Sequence, residues 1–256
     1  MRIGLFLAYW PWFSGHEQID IAVAADQAGL DSVWISEGWG QDAVSMLGAV
    51  AARTERIALG SGLMIVPART PAAAAMAAAT LDTLSGGRFR MGIGVSGPQV
   101  SEGWYGVSFA QPLRRVREYV EIIRTALRRE GPLTYEGGVY QIPLSGAPYG
   151  KPLKLLIEPP RPDIPIYLGA MGERAVAQAI EIADGWLPIM VSHDMIADVK
   201  ARRPDLDICR VVPVSVADNI DDARDGVRNW LALYLGGMGA RDKNFYFNMA
   251  AKAGLG

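Results

Sequence analysis

Short apolar runs alternate along the chain with longer segments whose apolar residues recur at helical spacing, and the alternation repeats seven times. Arg2 to Ala8 is an apolar run closed by turn residues. The segment that follows, HEQIDIAVAADQAG, puts Ile19, Val23 and Gln27 on one helical face and Gly29 where a helix C-cap belongs. The same strand-then-helix order returns in DSVWISE and DAVSMLGAVAAR, in RIALGSGLMIV and TPAAAAMAAATLDTLS, and in RFRMGIGV and PLRRVREYVEIIRTALRRE. It continues in IPIYLGA and GERAVAQAIEIA, in GWLPIM and HDMIADVKA, and in CRVVPVSV and NIDDARDGVRNWLALYL. Runs that are apolar throughout, with no alternation, are those of parallel strands covered on both faces. A barrel and a doubly wound sheet both satisfy this, and 256 residues is close to the ~250 typical of a (β/α)8 barrel. The pattern holds no eighth strand, so the predicted fold is an α/β TIM barrel lacking its last β/α unit in this chain. One domain is expected over residues 1–256. Residues 131–163, rich in Pro and Gly and without helical period, are predicted to be an insertion with hairpin character in GPLTYEGGVYQIP.

Composition narrows the function classes. Half of the residues are hydrophobic and the formal net charge is −2, so there is neither the low hydrophobicity of a disordered chain nor the basic footprint of a nucleic-acid or anionic-membrane binder. Small-molecule partners are expected instead. Cys209 stands alone, which excludes an intrachain disulfide and a thiolate-built zinc or iron–sulfur site. The opening run breaks at Pro11 and no stretch reaches the ~18 apolar residues of a membrane span. A cytoplasmic protein is the expectation.

In a β/α barrel the chemistry sits just past the C-terminal ends of the strands. Glu37, in ISEGWGQD, falls there. It can exchange a proton or hydrogen-bond a cofactor ring; equally, it can cap the next helix or pair with an arginine. Two glycines interrupt GSGLMIVP, which implies a bulge, a close approach to something flat, or barrel curvature alone. GIGVSGPQ offers Ser96, the amides around Gly97 and the amide of Gln99 as a nest for phosphate oxygens, without the dinucleotide fingerprint and the helix directly behind it. In GAMGERAVAQAIEIADG, Gly172 precedes a helix whose N-terminus favours an anion, with Arg174 as a charged clamp. His16 and His193 have no carboxylate at ligand spacing, so no metal is expected, and no G-x-S-x-G elbow supports a hydrolase. The arginine-rich helix balances its charge with Glu118, Glu121 and Glu130 on what reads as a solvated face. Tyr9, Trp10, Trp12 and Phe13 follow the first strand as an apolar lid or as loop packing.

Taken in order, ISEGWGQDA, GSGLMIVPARTP, AATLDTLSGGRFRMGIGVSGPQVSEGWYG, PLRRVREYVEIIR, YEGGVYQIP, KPLKLLIEPPRPDIPIYLGAMGERAVAQAIEIADGWLP and LALYLGGMGARDKNFY resemble the luciferase-like monooxygenase superfamily. Within it they are most similar to the branch of oxidoreductases that use the deazaflavin coenzyme F420. The resemblance implies a barrel of the bacterial luciferase-like type with the deazaflavin across its C-terminal face, and hydride transfer between the coenzyme and a small organic substrate. It also implies a cis peptide in strand three, matched here by Gly62–Leu63. Carried over by motif, Glu37 is the catalytic acidic residue; Leu63, Met64 and Ile65 line the ring; Ser96, Gly97, Gln99, Met171, Gly172, Arg174 and Ala175 meet the phosphate side. Tyr9, Trp10, Trp39 and Trp104 are expected to wall the substrate pocket. Where sugar-phosphate dehydrogenases of the family have a histidine and a glutamate, this chain has Gly38 and Pro98, which departs from that substrate. The alternatives are FMN with oxygen activation at the same site, or flavin binding without turnover. A homodimer or higher homo-oligomer that covers the open barrel edge is expected.

Overall fold

The computed structural model of the protein describes residues 2–7, 13–237 and 245–252. Its strands are β1 (Gly4–Leu7), β2 (Ser32–Ile35), β3 (Ala58–Ser61), β4 (Met64–Ile65), β5 (Phe89–Gly94), β6 (Tyr135–Glu136), β7 (Gln141–Ile142), β8 (Ile166–Leu168), β9 (Gly185–Trp186) and β10 (Asp207–Ile208). β1, β2, β3, β5, β8, β9 and β10 are neighbours in that order with every pair parallel, while β4 continues β3 beyond Gly62 and pairs with β5. β6 and β7 form a separate antiparallel hairpin. Arg2, ahead of β1, donates to Asp207 at the start of β10 at 2.7 Å, so the two sheet edges meet at the N-terminal end and the sheet is curled. No strand lies between β10 and β1 among the described residues, which is the predicted barrel without its last unit.

The helices are α1 (Gly15–Gln27), α2 (Ala43–Ala51), α3 (Pro71–Leu84), α4 (Pro98–Gly103), α5 (Pro112–Arg128), α6 (Glu173–Ile182), α7 (His193–Arg202), α8 (Ile220–Ala232) and α9 (Phe245–Lys252). Their starts are written locally. Ser14 with Glu17 closes a capping box on α1, and Asp42, Thr70, Ser192 and Asn219 each accept a backbone N–H at the head of α2, α3, α7 and α8; such a cap stabilises by about 1 kcal/mol. α1 ends at Ala28, and Gly29 beyond it takes φ +77°, the left-handed conformation that favours glycine.

Inside the barrel two large rings take the place of small residues on neighbouring strands. The Trp34 ring lies where a Cβ on Gly60 would stand, and the Tyr167 ring where a Cβ on Gly185 would stand. The two rings meet edge to face at 5.2 Å. Gly60 therefore answers to the close approach of a flat group, here the protein's own indole.

Four expectations are corrected. α1 buries Gln18, Ala22, Ala25 and Asp26, not the Ile19–Val23–Gln27 face, because Asp26 accepts the N–H groups of Glu55, Arg56 and Ile57 ahead of β3. The seventh strand is Asp207–Ile208, where Cys209–Val216 was expected; beyond it the pairing thins to one bridge, Ile189 with Val211, ahead of Pro213, which has no N–H to offer. A short helix, α4, does open directly behind GIGVSG. Glu118 is buried, accepting from Gly138, Val139, Tyr140 and Arg114, and so anchors the β6–β7 hairpin to α5. No helix among the described residues is long and apolar enough to cross a membrane.

Candidate active site

A cavity of about 2390 Å³ occupies the barrel and opens past the C-terminal strand ends. One wall of its mouth is a shelf where β3 gives way to β4. The Gly62–Leu63 peptide there is cis, and three backbone groups around it have partners at the end of β2. Gly62 N–H donates to the Ile35 carbonyl at 2.7 Å, the Ser36 hydroxyl donates to the Gly62 carbonyl at 3.1 Å, and Glu37 N–H donates to the Leu63 carbonyl at 3.3 Å. The Leu63 side chain extends across the mouth into the space that a Cβ on Gly94 or Gly169 would need. Glycines ending β5 and following β8 thus leave room for an apolar shelf.

Glu37 lines this cavity but is not a free acid. Its carboxylate, only 3% exposed, accepts Ile65 N–H at 2.7 Å, both ends of the Arg69 guanidinium at 2.9 and 2.5 Å, and Ala43 N–H at 3.4 Å. Of the roles weighed from sequence, these contacts match helix capping and arginine pairing. Both carboxylate oxygens are thus taken up by donors of the protein itself. Arg69 also donates to Asp42 at 2.9 Å. Burial works against the guanidinium's charge, and Glu37 more than offsets it, so Arg69 is held above its ordinary range. Burial likewise pushes the nearby Tyr105 and Tyr119 phenols upward, with the Glu37 charge adding to it.

The loops after β5 and β8 form another part of the cavity wall. After β5 the chain passes through Ser96 at φ +59° into Gly97 and α4; Ser96, Gly97 and Gln99 line the cavity. From the next unit come Met171, Gly172, Arg174 and Ala175. Gly172 caps α6 with no side-chain hydrogen bond closing that end, and the first turn, which carries Glu173, lines the cavity. Exposed Arg174 has no ion pair among the described residues.

Thus the structure brings Glu37, Gly62, Leu63, Ile65 and the phosphate-side residues to one cavity. Met64 is the exception: it is buried in the core beside β5, because alternate strand residues point to opposite faces. Trp39 and Trp104 line the mouth with exposed rings; Tyr9 and Trp10 lie outside the described residues. Sequence reasoning missed Arg69, Gly94 and Gly169. Each stands just past or at the end of an apolar run, which is the positional rule that picked out Glu37.

A parallel barrel carrying a coenzyme-sized cavity at its C-terminal mouth defines a β/α-barrel enzyme class. The chain belongs to the luciferase-like monooxygenase family, whose model matches residues 1–255. It is similar, at 43% identity over 99% of the chain and 78% of the relative, to "Putative coenzyme F420-dependent oxidoreductase Rv3520c" of Mycobacterium tuberculosis. It is 32% identical to 5,10-methylenetetrahydromethanopterin reductase of Archaeoglobus fulgidus, over 83% of this chain and 64% of that one. Its fold matches the structure of an F420-dependent secondary alcohol dehydrogenase in complex with an F420–acetone adduct, with TM-score 0.81, 18% identity, and coverage of 100% of this chain and 82% of that chain.

Proposed function

We propose that the protein is an oxidoreductase that uses coenzyme F420 to move a hydride to or from a small organic substrate. The observation that carries this reading is the pairing, in one cavity, of an apolar shelf at Leu63 braced by hydrogen bonds from the end of β2 with the Ser96–Gly97 turn, the N-terminus of α6, which has no side-chain cap, and exposed Arg174. A flat ring with a phosphate-bearing tail needs both. The residues fit the coenzyme: Gly94 and Gly169 leave Leu63 its place, and Arg174 with the α6 N-terminus suits an anionic tail. The curated relatives named for F420 favour it over FMN. When bound, the deazaflavin supplies a carbon that accepts or delivers hydride.

The chain's own part is orientation. Leu63 and Ile65 present the shelf, Glu37 holds it, Arg174 and the α6 amides fix the tail, and Trp39 and Trp104 shield the reacting face from water. Titration with coenzyme F420 and, in parallel, FMN at matched ionic strength tests this, because phosphate contacts are screened by salt. Selective F420 binding followed by substrate-dependent change in deazaflavin absorbance is expected. Preference for FMN, or F420 binding without turnover of any alcohol, aldehyde or enone, overturns the reading in favour of oxygen chemistry or a binding role.

A further inference from the structure

We propose that Arg69 is a positioning residue that sets the coenzyme shelf from behind; the proposal rests on the deazaflavin reading of the cavity. Arg69 follows β4 by one short turn, Val66–Ala68, and is not among the cavity's lining residues. It acts through Glu37. Its guanidinium spans both Glu37 oxygens and Asp42 Oδ1, and its carbonyl accepts from the Tyr119 hydroxyl at 3.2 Å. Glu37 grips the shelf on both sides of Met64, through its carboxylate to Ile65 N–H and its own N–H to the Leu63 carbonyl. Arg69 therefore joins the head of α2 and, through Glu37, β4 by its guanidinium, and the middle of α5 by its carbonyl. Removing it leaves Glu37 and Asp42 as like charges sharing one site, with only the Ile65 and Ala43 N–H groups to hold the Glu37 rotamer. A lysine cannot replace it, because a point donor does not span two carboxylates and a bidentate pair at once.

The test compares Arg69→Met, Arg69→Lys and Asp42→Asn with wild type. Asn keeps the α2 cap while removing the outer charge. Two probes are titrated by fluorescence: coenzyme F420 and the deazaflavin ring compound lacking the phosphate-bearing tail. Backbone amide exchange of the uncomplexed protein is followed over residues 63–66 and 93–97. Both Arg69 variants are expected to weaken both probes by the same factor, tenfold or more, with unchanged salt dependence; exchange at 63–66 rises at least tenfold while 93–97 stays as it was. Asp42→Asn is expected to weaken both probes two- to fivefold. Equal affinities and equal exchange in the Arg69 variants overturn the proposal, as does weakening confined to the phosphate-bearing probe. Should the Arg69 variants fail to fold by circular dichroism, Asp42→Asn decides, and wild-type affinity and exchange in it overturn the proposal. If wild type binds neither probe, the coenzyme reading falls while the clamp is judged on exchange alone, upheld by faster exchange at 63–66 and overturned by none.

Discussion

The two walls of the cavity mouth are built on opposite principles. On the shelf, Ile35, Ser36 and Glu37 take up the backbone groups of Gly62, Leu63 and Ile65, and Arg69 takes up Glu37. Beyond β8, the α6 end carries no side-chain cap and Arg174 no ion pair among the described residues. A surface that supports a flat apolar ring is most useful when its geometry is settled before binding, since ordering it later would cost affinity. A surface that receives a charged tail needs donors whose partners arrive with the ligand. The shelf shares its saturation with the barrel's N-terminal end, where Arg161 pairs with fully buried Asp82, Arg90 with Asp31, and Asp26 takes three backbone N–H groups.

The contrast is broken most severely by Glu37→Ala, which leaves the Arg69 guanidinium and Ile65 N–H buried without their acceptor. Urea denaturation should show a loss of about 3 kcal/mol, as expected for half of a buried ion pair. A loss below ~0.5 kcal/mol would mean that the shelf is not held by this carboxylate. Gly169→Ala comes next. Its methyl group overlaps Leu63, so stability should fall by about 1–3 kcal/mol through overpacking, with coenzyme affinity falling alongside it; Leu63→Ala in the same chain should restore part of the stability and none of the affinity, since it removes the shelf. On the other wall, Arg174→Met should leave the denaturation midpoint within about ±0.5 kcal/mol of wild type while weakening F420 several-fold and flattening the salt dependence of its binding. An unchanged salt slope would place the anion elsewhere.

The saturated regions should also reveal themselves in acid. Burial alone would raise the Asp26 carboxyl, but the N–H groups of Glu55, Ile57 and Arg56 and the Arg56 charge hold it below the ordinary range. Its stabilisation is therefore present above the unfolded value, about 4, and lost as pH falls below it toward the depressed folded value. Denaturation midpoints measured from pH 6 to pH 3 should fall less steeply in Asp26→Asn than in wild type. Trp104→Ala is the mildest change. The ring is 63% exposed, so stability and F420 affinity should hold, and only the KM for an apolar substrate should rise.

Much of this was readable along the chain. The seven β/α units and the turn at Gly29 announced themselves through local patterns, because hydrophobic period and helix-end chemistry act within a few residues. The family motifs pointed to Glu37 and to the Gly62–Leu63 bond. What stayed hidden depends on partners far away in sequence. Arg69 meets Glu37 32 positions away, Glu118 meets Gly138–Tyr140, and the role of Asp26 rests on the loop at 55–57.

The sequence by itself determined the order of strands and helices, the parallel sheet and the family. Only the tertiary structure decided what each site residue does there. Whether Glu37 is a free acid or a bound anchor depends on which donors the fold brings to its oxygens. Whether Met64 or Leu63 faces the cavity depends on how the chain turns at Gly62. Both are matters of long-range packing and hydrogen bonding, which no local spacing encodes.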